Sequence, residues 1–319
     1  MITVLTGGTG GAKFVDGLRR VVPPEELTII VNTGDDHEWW GLHVSPDVDS
    51  IIYMLAGILS PERGWGIRGD TFHCLQTMKA LGEPAWFSVG DRDLATHLLR
   101  TQLLSDGHTL TETTRIIAAK LGVRARILPM SNEKVETRIH TPAGELTFQE
   151  FFVKRRYQDE ANSIRFACVM DAKPAPGVLE AIAAANAILI APSNPITSIG
   201  PILAVPGIRE ALSAAKGKVV AVSPIIGTQA VTGPAAALMA AENLSPSIAG
   251  VAACYADFLD TLIVDNSDAE TARLLPMRSI QYVATDILMR TGDDRLRIAR
   301  TALEAALSQP HTTRMAEAS

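Results

Sequence analysis

The stretch TVLTGGTGGAKF, residues 3–14, places four glycines and a lysine directly behind a short apolar run. Val4 and Leu5 are typical of the end of a buried strand, and Phe14 and Leu18 begin the apolar stripe of a helix. A glycine-rich turn between a strand and a helix presents backbone N–H groups that can cradle a phosphate. The stretch therefore predicts a phosphate-binding loop in an α/β protein. The remaining sequence must show which phosphate compound is bound.

Short β-branched runs alternate with helical patterns along much of the chain. The predicted strands are residues 2–5, 27–31, 164–170, 187–191, 218–222 and 262–264. Helical patterns lie between several of them, notably over 177–186 and 208–215. Apolar strands separated by helices imply a parallel sheet covered on both faces. We therefore predict an α/β fold with a doubly wound, mostly parallel, Rossmann-like sheet.

Residues 61–160 have a different pattern. They contain three helical stretches, 72–81, 94–104 and 110–121, and then an alternating segment that predicts a hairpin turning at 142–144. We interpret this region as an insertion that caps the site. The chain is then a single α/β domain over residues 1–308, with its core at about 1–60 and 161–308. Residues 309–319 lack apolar content and are predicted to be a frayed tail.

Composition excludes several classes of protein. The chain has 319 residues and a formal net charge of −6, which argues against a nucleic-acid or anionic-membrane surface. Its most apolar stretch is broken by Glu180, Asn186 and Pro192 before it could span a bilayer. Three widely spaced cysteines, without a CxxC pair, are typical of reduced thiols in or near the core. The N-terminus has no signal-peptide pattern, so we expect a cytoplasmic protein.

Four polar or glycine-rich segments each directly follow a predicted strand. They are TGGTGGAK, NTGDD, APSNPITSIGP and SPIIG. In an open parallel sheet the carboxyl ends of the strands share one edge, where ligands bind. The four segments together predict one binding site. Ordinary turns that happen to follow strands are the alternative.

The glycine loop does not fit two well-known phosphate motifs. Walker A requires Gly-Lys-Ser/Thr, whereas Lys13 follows an alanine and precedes a phenylalanine. The dinucleotide fingerprint fits only in part, because Lys13 occupies its third glycine position, although Asp35 and Asp36 follow the second strand. Asp47 and Asp49 add further acids. A phosphate-bearing substrate with a divalent metal suits this set better than a nicotinamide cofactor, although Lys13 could also be a solvated surface lysine.

The acids have alternative interpretations. Asp47 and Asp49 lie two residues apart before an apolar helix, so Asp47 could cap that helix, whereas Asp35 and Asp49 favour metal or substrate contact. Trp39 and Trp40 could stack on a flat ring or simply pack. The histidines have no zinc spacing and no GxSxG elbow is present, which disfavours a zinc site and a serine nucleophile.

Nine motifs occur in order along residues 1–300: GGTGGAKF, NTGDD, SPDVDS, RGWGIRGDTF, GDRDLATHLLR, LPMS, FQEFFV, APSNPITSIGPIL and VSPIIG. Together they resemble the 2-phospho-L-lactate transferase family of coenzyme F420 biosynthesis. The resemblance implies transfer of a phospho-three-carbon-acid group, phosphoenolpyruvyl or 2-phospholactyl, from a guanosine diphosphate donor. The acceptor would be the ribityl hydroxyl of Fo, 7,8-didemethyl-8-hydroxy-5-deazariboflavin. GMP would be released and (dehydro) coenzyme F420-0 formed.

The resemblance also implies roles for particular residues. Asp35 and Asp49 would be catalytic and hold Mg²⁺. The residues expected to bind donor phosphate and nucleotide are Gly8, Thr9, Gly10, Gly11, Lys13, Ser193, Asn194, Thr197, Ser198 and Gly200. Those expected to face Fo are Asp49, Ser88, Asp91, Arg92 and His97. Asp91 could instead cap the helix that follows it, and His97 could be structural.

Two other functions remain open. The first is a non-catalytic nucleotide-sugar-binding regulator of carbon and cell-wall metabolism, for which a DDGGSSG-like run would be expected in place of GDDHEWWG. The second is a nicotinamide oxidoreductase, disfavoured by the missing third glycine. The sequence leaves the three-carbon acid open and slightly favours a phosphoenolpyruvate-derived donor. A homodimer is expected from the resemblance alone.

Overall fold

A computed structural model describes residues 1–275 and 279–307. The strands are β1 (Ile2–Thr6), β2 (Leu27–Val31), β3 (His37–Trp39), β4 (Leu42–Val44), β5 (Arg126–Pro129), β6 (Glu136–Thr141), β7 (Gly144–Thr147), β8 (Ser163–Ala167), β9 (Ala187–Ile190), β10 (Lys218–Val222), β11 (Ile225–Ile226), β12 (Gln229–Ala230), β13 (Thr261–Asp265) and β14 (Gln281–Thr285). The helices are α1 (Thr9–Leu18), α2 (Pro46–Leu55), α3 (His73–Ala80), α4 (Asp91–Ser105), α5 (Leu110–Lys120), α6 (Val178–Ala183), α7 (Gly200–Ala204), α8 (Ile208–Ser213), α9 (Ala235–Ala241), α10 (Ile248–Cys254), α11 (Ala269–Leu274) and α12 (Gly292–Leu307). The predicted tail, 309–319, lies outside the described residues.

A seven-stranded sheet forms the centre of the fold. Its strand order is β14-β13-β10-β9-β1-β2-β5, and every adjacent pair is parallel. The chain leaves β1 toward β2 on one side and later returns to add β9 on the other side. The order therefore reverses between β1 and β9, and ligands bind at such a switch point, beyond the carboxyl ends of the strands.

The sheet is buried on both faces because its strands are almost entirely apolar. Along β1, Val4 packs into one core layer and Leu5 into the other, as the two-residue period of a strand requires. Helices α1, α2 and α12 cover one face, and α6, α8 and α10 contribute to the layer on the other. Gly17 lets α1 approach α12 closely, because a Cβ there would meet the carbonyl oxygen of Arg295. This arrangement confirms the predicted doubly wound α/β fold.

Five predicted strands lie in this sheet and one does not. The stretch predicted as a strand over 164–170 forms β8 (Ser163–Ala167), which pairs antiparallel with β6 in a small three-stranded sheet. Its side chains are partly exposed, so this strand does not need the cover of two helix layers. Both outermost strands, β5 and β14, were missed. Their burial is incomplete, and an edge strand therefore lacks the continuous apolar pattern of a central one.

The elements predicted within residues 61–160 form, and a strand of the central sheet lies in the same range. Helices α3, α4 and α5 form close to their predicted positions, and β6 and β7 form the hairpin turning at 142–144. However, β5 (Arg126–Pro129) falls within the range 61–160 and pairs with β2 in the central sheet. Residues 86–89 run as an irregular segment into α4.

Two further observations concern the chain as a whole. Among the described residues, no helix is both long and apolar enough to cross a membrane. The three cysteines are unpaired, and Cys168 is exposed rather than near the core.

Candidate active site at the switch point

The glycine loop connects β1 directly to the N-terminus of α1. Gly8 is the N-cap of α1 and Thr9 its first residue, so the first N–H groups of the helix lie at the carboxyl edge of the sheet. These N–H groups have no acceptor within the helix and carry its positive dipole end. Lys13 lies at the start of the next turn and is half-buried. The loop can therefore bind a negatively charged phosphate.

Each loop glycine is required by a close neighbour. A Cβ on Gly8 would collide with the Asp47 carboxylate, and one on Gly10 would lie 2.7 Å from the carbonyl oxygen of Pro192. A Cβ on Gly11 would collide with the side chain of Thr6. The loop thus lies against the acid-bearing helix α2 and the segment that follows β9.

A cavity of about 420 Å³ opens beside this loop, and we call it the donor cavity. Of the residues predicted to bind donor, eight line it: Gly8, Thr9, Gly10, Lys13, Ser193, Asn194, Thr197 and Ser198. Gly11 and Gly200 lie outside it. Gly200 instead packs against the ring of Phe166. The Ser193 hydroxyl accepts the N–H of Gly7 at 3.2 Å, which ties the two loops together.

Other parts of the donor cavity were not anticipated from the sequence. Residues 231–235 and 287–290 line it, and Arg290 adds a second cation on this wall. No motif marks these residues, because they reach the site only through the folding of the C-terminal third. Asn194 has a partly structural role, since its side-chain oxygen caps the Pro195–Ile199 helical turn.

Two carboxylates meet at the base of the donor cavity. The Asn32 amide nitrogen donates to Asp35 Oδ2 at 3.1 Å and to Asp47 Oδ2 at 2.9 Å. The other Asp35 oxygen is buried without a hydrogen-bond partner. Burial and the charges of Asp47 and Asp36 raise the pKa of Asp35 well above its usual range. Burial, together with Asp36, raises the pKa of Asp47 to about 7. The two carboxylates form a site that a cation would stabilise.

Asp47 does not act as the helix cap that the sequence allowed. Helix α2 begins at Pro46 with Ser45 as N-cap, so Asp47 and Asp49 both lie in its first turn. Their side chains diverge. Asp47 faces the glycine loop and Asn32, whereas Asp49 faces α4. Asp47, rather than Asp49, is therefore the carboxylate that adjoins Asp35.

A second cavity, of about 250 Å³, adjoins the first, and we call it the acceptor cavity. Thr9, Asp47, Phe148 and Phe152 line both cavities. The walls of the acceptor cavity include aromatic rings, and its floor is polar. The aromatic side chains are Tyr53, Trp65, Phe87, Phe148 and Phe152. Such a cavity fits a flat ligand with a polar end.

The polar floor is a buried network around Asp49. Both oxygens of Asp49 pair with the guanidinium of Arg100, one of them at 3.0 Å. His97 Nδ1 lies 3.6 Å from Asp49, and its Nε2 lies 3.5 Å from Asp93. Burial raises the pKa of Asp49, although Arg100 opposes the shift. Burial tends to raise the pKa of Asp93. The interactions with His97 and Tyr53 lower it by more, so the pKa of Asp93 lies below its usual value. Arg100 was missed because nothing in the sequence marks it as the partner of Asp49.

The residues expected to face Fo fall into two groups. Asp49, Ser88 and His97 line the acceptor cavity, whereas Asp91 and Arg92 lie outside it. Asp91 caps α3, accepting the N–H groups of His73 and Cys74 at 3.0 Å each. It therefore does not cap α4, the helix behind it.

The tryptophan pair beside the acids packs rather than binds. Trp39 is buried, and its ring lies 4.9 Å from that of Trp86 and 5.3 Å from that of Trp40. Neither Trp39 nor Trp40 lines either cavity. Trp65, which lies in an insertion loop, is the tryptophan that reaches the acceptor cavity.

A Rossmann-like sheet with a glycine-rich helix N-terminus and paired acids at its switch point is typical of α/β proteins that bind phosphate-bearing ligands. Residues 2–302 match the sequence model of the family described as 2-phospho-L-lactate transferase CofD. The chain belongs to this family of transferases.

Similar proteins agree with this assignment. A phosphoenolpyruvate transferase of Streptomyces griseus is 43% identical over 311 residues, covering 96% of this chain and 98% of the relative. A 2-phospho-L-lactate transferase of Methanothermobacter thermautotrophicus is 43% identical over 303 residues, covering 95% and 97%. The crystal structure of BH3568, a UPF0052-family protein of Bacillus halodurans, has a TM-score of 0.62 at 19% identity and covers 95% and 98%. The last comparison supports the fold alone.

Proposed function

We propose that this protein transfers a phospho-three-carbon-acid group from a guanosine diphosphate-linked donor to Fo, the deazaflavin precursor of coenzyme F420. The ribityl hydroxyl oxygen of Fo forms a bond to the phosphorus next to the acid. The bond from that phosphorus to GMP breaks, GMP leaves with the electron pair, and the hydroxyl proton is lost. The product is a phosphodiester of Fo, (dehydro) coenzyme F420-0.

The proposal rests on one observation: two cavities of different character meet at Asp47. One has a phosphate loop at a helix N-terminus, and the other has aromatic walls and a polar floor. A group transfer between two bound substrates requires such adjoining sites, because the reacting atoms must be held together. A nicotinamide oxidoreductase would not need the pair of acids at the base of the phosphate site.

We propose that Asp35 and Asp47 hold Mg²⁺. The fit rests on three observations: a partnerless buried oxygen on Asp35, the shared Asn32 donor, and the raised pKa of both carboxylates. Hard oxygen ligands in this number suit Mg²⁺, which keeps water and substrate phosphate as its other ligands. When bound, the ion would neutralise charge on the pyrophosphate.

The residues of the chain would supply binding and orientation. The N–H groups at the start of α1, with Lys13, would bind the donor phosphates. Trp65 and Phe152 would contact the acceptor ring. Asp49, on the polar floor, would orient the acceptor hydroxyl by accepting its hydrogen bond.

The three-carbon acid stays open, because relatives of equal identity carry both transferase names. We retain the slight preference for a phosphoenolpyruvate-derived donor. By the same resemblance, we expect the enzyme to act in the cytoplasm as a homodimer.

The test is a transfer assay with purified protein, Fo, Mg²⁺ and guanylylated phosphoenolpyruvate or phospholactate, analysed by mass spectrometry. We expect an Fo phosphodiester and an equal amount of GMP, and the two donors can be ranked by rate. Asp49→Asn should abolish product. Asp106→Asn is the matched control, since Asp106 directly follows α4, the helix that Asp49 faces, but lies outside both cavities.

Failure to form product with either donor would contradict the proposal. Tight binding of UDP-sugars without turnover would instead support the regulator considered from the sequence. Loss of product in Asp106→Asn as well would show that the assay reports folding rather than chemistry.

A further inference from the structure

Arg100 is a fully buried arginine that lies behind Asp49, a residue of the acceptor cavity's floor. No part of its surface is exposed, and it lies on α4 facing Asp49 on α2. Its two terminal nitrogens each donate to a different oxygen of that carboxylate. A buried guanidinium is costly unless it is paired with good geometry, and the bidentate pair fixes the plane of the carboxylate. Asp49 is thus held in one orientation from behind.

A second contact of Arg100 concerns His97. Arg100 Nη1 lies 3.3 Å from His97 Nδ1. A guanidinium can only donate hydrogen bonds, so Nδ1 must be the acceptor and the ring proton of a neutral imidazole must be on Nε2. That Nε2 lies 3.5 Å from Asp93 Oδ1 and is buried without a hydrogen-bond partner, and Asp93 Oδ1 accepts the Tyr53 hydroxyl at 2.7 Å.

We infer that Arg100 is the positioning residue of the acceptor site. It orients the Asp49 carboxylate and holds His97 as the Nε2–H tautomer. His97 then offers a hydrogen-bond donor on its Nε2 side, and Asp49 is the acceptor for a substrate hydroxyl. The inference rests on the proposed function only in identifying that hydroxyl with Fo. The arrangement of protons is a property of the free protein.

The same geometry argues against a metal at this floor. Atoms of Asp49, Asp93 and His97 lie within 4.8 Å of one another, close enough to surround an ion. However, the guanidinium already occupies both Asp49 oxygens and would repel a divalent cation. We therefore assign this cluster to hydrogen bonding.

The test is a long-range ¹H–¹⁵N correlation spectrum of the full chain with ¹⁵N-labelled histidine, at neutral pH. His97→Gln identifies the signals of His97. We expect a protonated Nε2 and an unprotonated Nδ1 in the wild-type protein. A protonated Nδ1, or signals broadened by added Mn²⁺ at concentrations that leave the other histidines unaffected, would overturn the inference.

The variants link this geometry to turnover. Arg100→Met removes the donor to Nδ1, so the tautomer should shift toward Nδ1–H and kcat should fall by about 100-fold, with the KM for the donor unchanged. Arg100→Lys should restore part of kcat. Arg124→Met is the matched control, because Arg124 is an exposed arginine that pairs with Glu25. Unchanged tautomer and kcat in Arg100→Met would refute the positioning role.

If Arg100→Met fails to fold, the wild-type spectrum still decides the tautomer. The two proposals can also fail separately. An inactive enzyme with the expected spectrum contradicts the transfer, whereas an active one with Nδ1–H contradicts the role of Arg100.

Discussion

At the scale of single residues, Asp47 stands at the point where the two cavities meet. Its raised pKa, about 7, means that the folded protein keeps a proton that the unfolded chain loses near pH 4. Folding stability attributable to this group therefore falls as the pH rises from about 4 to about 7, and stays lower above that range. A bound cation would reverse this loss, since it favours the ionised carboxylate.

Asp47→Asn should therefore raise the melting temperature of the metal-free protein at pH 8, by roughly 2–4 °C. At pH 4 the same substitution should change it little, because Asp47 is then protonated. The amide can still accept the hydrogen bond from Asn32. Thermal unfolding at the two pH values measures the effect. An equal loss of stability at both pH values would contradict it. Turnover should be abolished in this variant.

Gly8 tests the glycine loop. In Gly8→Ala the new methyl group collides with the Asp47 carboxylate, so either the loop or the acid must move. We expect the Kd for a guanosine diphosphate probe to rise by about tenfold or more, measured by calorimetry. Gly122→Ala is the control, because its left-handed backbone (φ +75°) makes the substitution strained while no atom crowds it. Weaker binding in both variants would indicate a general loss of stability.

At the scale of elements, the N-terminus of α3 is capped from α4, and that of α4 is capped by Asp70, which lies three residues before α3. Asp91, at the start of α4, accepts the first N–H groups of α3, and Asp70 accepts those of Arg92 and Asp93 at 2.7 and 3.1 Å. Helix α3 buries none of its residues, so the caps must contribute more to its order than packing does.

Asp91→Ala should accordingly destabilise α3 and speed hydrogen exchange of its amides. The KM for the acceptor should stay within about twofold, since Asp91 lies outside the acceptor cavity. Ser88→Ala, which changes a residue that lines that cavity, should raise this KM instead. A raised KM in Asp91→Ala with unchanged exchange in α3 would mean that Asp91 contacts the acceptor after all.

At the scale of the whole molecule, one aromatic stack forms a wall that the two cavities share. The rings of Phe148 and Phe152 lie 5.3 Å apart, and Tyr157 stacks on Phe152 at 5.6 Å. Phe148 and Phe152 line both cavities, and Tyr157 lines neither. The stack is carried by the insertion region, beside the hairpin, so this region completes a site whose phosphate loop belongs to the central sheet.

Phe152→Ala should therefore raise the KM for both donor and acceptor, by about 3- to 10-fold each, since a buried contact worth about 1 kcal/mol is lost on each side. Tyr157→Ala removes the outer ring of the same stack and should change neither KM appreciably. Steady-state kinetics with each substrate varied in turn measures both constants. A change confined to one substrate would show that the two sites do not share this wall.

The class of fold and the location of the phosphate loop can be predicted from the amino-acid sequence alone. Both depend on patterns that are local in the chain. Runs such as Ile2–Thr6 and Leu27–Val31 must be buried on two faces, and a glycine loop between a strand and a helix has few other uses. The resemblance to the family rests on the same motifs, and most of the residues predicted to bind donor line one cavity.

The division of the acids between the two cavities depends on long-range packing. Asp47 and Asp49 are two residues apart, but one meets Asn32 beside the glycine loop and the other meets Arg100, 51 positions along the chain. From the sequence, Asp35 and Asp49 were expected to hold the metal together. Spacing alone cannot show which way each side chain of a helical turn faces. Arg100, Trp65 and Phe152 lie within three of the quoted motifs, but for the same reason those motifs could not show which residues they contact. Such contacts arise when distant segments pack together, and no local pattern records them.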